Sequence, residues 1–198
     1  MIHRRPLAIS LAVAILALVL VFVGSRLLAP ADVADFETRQ TARVMTLLWA
    51  IAMTWRIRCG RTPVTRAWWT AACLAFIVHV STAFDRIHDW SHARAFDHVE
   101  ETSGYGPGVF VSYAFTLLWA ADVLYWLIRP VDYASRSRRW EIALHGFFAF
   151  IMFNGTVVYE TGFIRWAGLA MFAGLAALLV ITPRGIPEPV ENDRGLIR

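Results

Sequence analysis

Residues 85–101 read DRIHDWSHARAFDHVEE and hold three of the chain's six histidines together with several carboxylates. At 100° per residue a continuous helix would gather Asp85, His88, Asp89 and His92 into one arc. His88 and His92 then stand one turn apart, the spacing that lets two imidazoles reach one metal ion, and Asp85 or Asp89 supplies an oxygen ligand from the same face. Glu160 is expected level with that face and could complete the set. The donor types suit zinc, iron, manganese or copper equally, and a metal-bound water would then be the reactive species. The plainer reading of the same segment is a solvated amphipathic helix, with Trp90 and Phe96 dipping into a lipid interface, or a pH-responsive histidine surface.

A second set of polar residues is embedded in apolar runs: His79, Asp122, His145 and Asn154. Ionisable groups in lipid are costly and face a bundle's interior or a partner. Counting 1.5 Å per residue places His79 about 9 Å below one boundary, and Asp122 and His145 about 10 Å and 8 Å from the other. An Asp122–His145 pair is therefore expected in one layer, and His79 level with Asn154 in the other. Two layers disfavour a bis-histidine haem, because His79 and His145 would belong to opposite leaflets. The Asp122, His145 and His79 set could serve a proton-coupled carrier, or could simply glue helices together.

The elements that must position these residues follow from composition. The 198 residues are 58% hydrophobic and 17% charged, whereas a soluble domain carries about a quarter charged. The apolar residues fall in blocks separated by charged stretches, the pattern of an all-α, polytopic transmembrane bundle. Six spans are expected, at about 7–23, 42–57, 67–84, 109–128, 142–159 and 163–181, forming one domain over 1–182. The count becomes five if the first run is cleaved as a signal peptide. The second run is the shortest and needs Arg43 and Arg56 to snorkel. Residues 183–198, rich in proline, read as a disordered cytoplasmic tail.

Charge placement gives an orientation. Arg56, Arg58, Arg61 and Arg66 fall in one connection and Arg129, Arg136, Arg138 and Arg139 in another. The acids Asp32, Asp35 and Glu37 fall in an intervening connection, as do those of residues 85–101. The positive-inside rule then puts both termini in the cytoplasm and the histidine segment outside, in a bacterial inner membrane. The basic charge signals topology and membrane contact rather than nucleic-acid binding.

Several chemistries are excluded outright. The chain contains no lysine, so neither a retinal nor a pyridoxal Schiff base can form. Cys59 and Cys73 are too few for a disulfide framework or a thiolate metal site. Gly104–Gly108 lacks the lysine and the spacing of a phosphate loop and reads as a turn. His88 and His92 resemble one H-x3-H box of the membrane hydroxylases and desaturases, but those families need several boxes and the remaining histidines form none. The rhomboid G-x-S-x-G is absent. The expected partners are the lipid bilayer and, for a chain this small, a membrane complex in which it is a non-catalytic subunit, or copies of itself.

Overall fold

The computed structural model describes residues 4–182, and the expected tail lies outside them. The described residues form eight α-helices and one five-residue π-helical turn, with no strand: α1 (Arg4–Leu28), α2 (Val33–Cys59), α3 (Pro63–Arg86), α4 (His92–Ser103), α5 (Gly108–Ile128), α6 (Pro130–Ala134), α7 (Arg138–Phe153), the π-turn (Asn154–Val158) and α8 (Gly162–Ile181). Five helical stretches are long and apolar enough to cross a membrane: α1, α3, α5, α7 with its π-turn, and α8. The histidine segment and the α1–α2 and α7–α8 connections lie at one end of the bundle, called here the histidine end. The arginine-rich connections lie at the other, the arginine end.

Capping explains where the helices start. Asp32 accepts from the Asp35 amide at 2.9 Å and opens α2, so that helix begins about nine residues earlier than hydropathy alone suggests. Thr62, followed by Pro63, opens α3, and Ser137 opens α7. Gly60, with φ +70°, closes α2 in a conformation that other residues rarely adopt, which permits the tight α2–α3 hairpin. The apolar, largely exposed α1 is pinned by two hydroxyls. Ser10 donates to the Ala67 carbonyl of α3 at 3.0 Å, and Ser25 donates to the buried Glu37 carboxylate of α2 at 2.6 Å. Arg86 closes that site, its Nε donating to Glu37 at 3.0 Å.

An aromatic column fills mid-bundle. Trp69 and Phe76 of α3, Phe115 and Trp119 of α5, and Phe148 of α7 are all buried, with ring centroids 4.6–5.4 Å apart in the pairs Phe115–Phe148, Phe76–Phe115, Trp69–Trp119 and Phe76–Trp119. Such stacked, tilted and edge-on contacts add to the stabilisation from buried area.

Below this column the arginine end is locked by charge. The short α6 tucks Tyr133 fully inside, stacked on Trp126 at 4.2 Å, with the Arg136 guanidinium over the Tyr133 ring, 4.0 Å from its centroid. Arg136 donates to Asp122 at 2.5 Å and to Glu141, while the Tyr133 hydroxyl and Trp69 Nε1 donate to the second Asp122 oxygen at 3.1 and 2.9 Å. Arg56 of α2 also pairs with Glu141, and Arg61 donates to the Tyr133 and Arg136 carbonyls at 3.0 Å. Burial and the neighbouring Asp122 carboxylate push the Tyr133 phenol above its usual range, so it stays a donor.

Removing one member of this network strands the others. Arg136→Met leaves the Asp122 and Glu141 carboxylates buried without their shared cation, and is expected to cost about 3–5 kcal/mol of stability. Neutralising the acid that loses its only cation as well, in Asp122→Asn/Arg136→Met, should recover most of that loss, because Glu141 keeps Arg56 and Arg61. Thermal unfolding in a fixed detergent checks both, and a single variant that melts like the parent would contradict the assignment.

Candidate functional site

The expected four-ligand face does not form. The α3 helix ends at Arg86 because the His88 amide folds back to the Ala83 carbonyl and the Trp90 amide to the Phe84 carbonyl, while Asp89 and Trp90 adopt left-handed φ of +47° and +55°. Ser91 then caps a new helix, accepting from the Arg94 amide. The four side chains diverge as a result. Asp85 accepts from Trp90 Nε1 at 3.4 Å, Asp89 pairs with Arg94, His92 Nδ1 meets the Tyr113 hydroxyl at 2.9 Å, and His88 turns inward. Glu160 lies beside Arg39 instead, at 3.9 Å. Among the described residues, no three of His, Cys, Asp and Glu converge as a metal would require.

The intramembrane pairs also resolve differently. Asp122 and His145 do not bond to one another but meet the same ring, Trp69, whose Nε1 donates to Asp122 while the ring packs T-shaped with His145 at 5.1 Å between centroids. Arg136 and Tyr133, which come from the connection after α5, take the remaining Asp122 contacts. The nearest ion-pair partner of His145 is Glu141, one turn earlier on α7, at 3.7 Å. His79 meets the Thr41 hydroxyl of α2 at 3.3 Å, and Asn154 turns back to the Phe150 carbonyl. The sequence reading missed Tyr133, Arg136 and Glu141 as buried partners. It also missed Thr41 and Tyr113. Cys59 and Cys73 are both free.

What the histidines do share is a chamber. A cavity of about 330 Å³ occupies the histidine half, between α2, α3, α5 and the end of α7, with α4 laid across it. Phe76 and Phe115 of the aromatic column form its floor. Met45, Val80 and Met152 form apolar walls, and Thr46, Thr116 and Thr156 are spaced around them. Ala95 and Val99 of the amphipathic α4 form the roof, with Ala95 almost fully covered. His79 reaches the wall from α3, and His88 and Tyr113 stand where wall meets roof.

His88 is the most unusual of these groups. It is 8% exposed, and its Nδ1 has no hydrogen-bond partner among the described residues. Its ring packs edge-on against Phe84 at 5.3 Å and against His98 of α4 at 5.2 Å. An apolar cavity of this size with a few directed polar groups has the form of a small-molecule site. No family model matches the chain, and comparison with curated proteins and with solved structures finds no match either.

Burial, and secondarily the His98 charge, hold the His88 pKa below its ordinary value of 6.5. The folded protein therefore resists a proton that the unfolded chain accepts, and stability rises with pH across the window that ends near the ordinary value. The contribution is complete above about pH 6.5 and is lost as pH falls through the folded pKa. Unfolding measured from about pH 5 to pH 8 should show this acid-side loss, and His88→Leu should flatten it. An identical acid-side slope in the variant would place the titration elsewhere.

Proposed function

We propose that this chain is a six-span protein of a bacterial inner membrane that binds a lipophilic small molecule in the chamber of its outward-facing, histidine half. One observation carries the reading: the cavity combines apolar walls with a floor of packed aromatics, so it is closed toward the arginine end and offers a ligand mostly hydrocarbon contact. A ligand there buries hydrocarbon against methionine, valine and phenylalanine, and the buried, unpartnered Nδ1 of His88 at the chamber's edge supplies one directed polar group.

Three further features support it. At 27 residues α2 is about 40 Å long, enough to cross, and its charged residues cluster toward its ends around an apolar middle at 44–55. The arginine-rich connections all lie at one end of the bundle, consistent with that end facing the cytoplasm. Asp122 is enclosed by Trp69, Tyr133 and Arg136, and the aromatic column stands between it and His79, which favours a holding site over a proton path joining the two.

Filling the chamber tests the reading. Protein purified from membranes in mild detergent should release a lipophilic compound on solvent extraction, detected by mass spectrometry at near-stoichiometric amount. Ala83→Phe and Ser112→Phe, both on the chamber wall, should lower that amount about tenfold or more, a loss of about 1.4 kcal/mol in binding. Equal extraction from parent and from folded variants would overturn it.

A further inference from the structure

The chamber shares a wall with a groove on the outer surface of the bundle. This groove of about 290 Å³ runs between α2 and α8, and it shares Ala42, Thr46, Gly155 and Thr156 with the chamber. Gly155 sits in the π-turn, where the extra residue bulges the backbone and no neighbour comes within 4 Å of where its Cβ would lie. Two structural contacts hold that bulge in place. Arg165 of α8 donates to the Val157 carbonyl at 2.9 Å, and Gly168 lets α8 approach so closely that a Cβ there would stand 2.7 Å from the Thr156 carbonyl. The thin partition between groove and chamber is therefore built in.

The groove's charges are unbalanced. At its rim Arg39 is matched by Asp35 and Glu160. One turn further along α2, toward the apolar middle of the helix, Arg43 lines the groove with no ion-pair or hydrogen-bond partner among the described residues, its Nε shut off from solvent. A guanidinium in that position calls for an anion. The flanking Leu47 and Phe163 are exposed, at 63% and 81%, so apolar side chains flank the groove on its outer face, as suits an opening onto hydrocarbon.

Resting on the chamber reading above, we infer that the ligand is an anionic amphiphile that enters sideways from the bilayer. Its carboxylate or phosphate head pairs with Arg43 in the α2–α8 groove, and its hydrocarbon chain passes the Gly155–Thr156 partition into the chamber. Arginine suits the head because its planar fork binds two oxygens of a carboxylate or phosphate together.

The test uses the purified full chain in detergent with a diazirine-bearing fatty acid and its methyl ester, each crosslinked by light and quantified by mass spectrometry. The parent should capture the acid about tenfold or more better than the ester, the scale of one charge-assisted hydrogen bond. Arg43→Gln should bring that ratio near one while ester capture persists, and Arg43→Lys should keep most of the preference. Competition separates the sources of the head: displacement by phosphatidylglycerol but not by phosphatidylcholine assigns a lipid phosphate, and resistance to both assigns a free carboxylate. Equal capture of acid and ester by the parent would overturn the Arg43 site while leaving the chamber intact. Capture of neither would overturn both.

Discussion

Arg136 reaches two buried carboxylates at once, Asp122 on α5 and Glu141 on α7, and its guanidinium lies over the ring of Tyr133, itself fully enclosed. Arg56 brings α2 to the same Glu141, and Trp69 brings α3 to the same Asp122. Four helices are thus keyed to one cluster of charge. In lipid this matters more than in water, because apolar helix faces gain little by leaving hydrocarbon for one another. Packing and polar pairing must supply the specificity that the hydrophobic effect supplies to soluble bundles. The network also explains why the connection after α5 folds inward, since Tyr133 and Arg136 can satisfy Asp122 only if α6 docks beneath Trp126.

With that end fixed, the aromatic column stacks on it and the chamber lies above. Trp69 belongs to both layers: its indole N–H serves the network while its ring packs on Trp119 and Phe148. Above Phe76 and Phe115 the side chains become smaller, with Ala83, Ser112, Thr116 and Gly155 facing the space that large rings fill lower down. The chamber is the geometric result of that taper, and the amphipathic α4 covers it. The left-handed pair Asp89–Trp90 aims α4 back across the opening, at a backbone cost offset by the Asp89–Arg94 and Asp85–Trp90 contacts.

Hydropathy made the apolar helices legible, because a run such as Leu7–Val23 has no other stable home. It missed the first third of α2, where Asp35, Glu37 and Arg39 look like a loop. The usable signals there were the Asp32 cap and the Asp35–Arg39 spacing of four. The histidine face failed for a related reason. Angular arithmetic holds only while the helix continues, and Ser91, a good cap, was the one visible sign that it stops. Nothing local marks two consecutive left-handed residues in Asp89–Trp90. Depth counting put Asp122 and His145 in one layer, where both do meet Trp69. It could not find their actual partners, because Arg136 and Tyr133 come from a connection whose inward fold is a tertiary event.

That connection also shows what an all-arginine sequence gains. Arg136 contacts a carboxylate on each of two helices and a phenol hydroxyl while stacking on the phenol ring, a set of demands that only a planar fork of donors meets. A lysine ammonium would satisfy the charge but not the geometry. Arg61 repeats the logic on neutral acceptors, tying the Tyr133 and Arg136 carbonyls to the α2–α3 turn. The arginines of these connections therefore divide their work. Arg56, Arg61 and Arg136 are drawn inside and hold the fold, while Arg58, Arg129, Arg138 and Arg139 stay exposed, where charge can act on headgroups. Arg43 belongs with the first group by its shielded Nε, yet it lacks the protein acid that each member of that group has, and this contrast is what directs attention to a ligand rather than to packing.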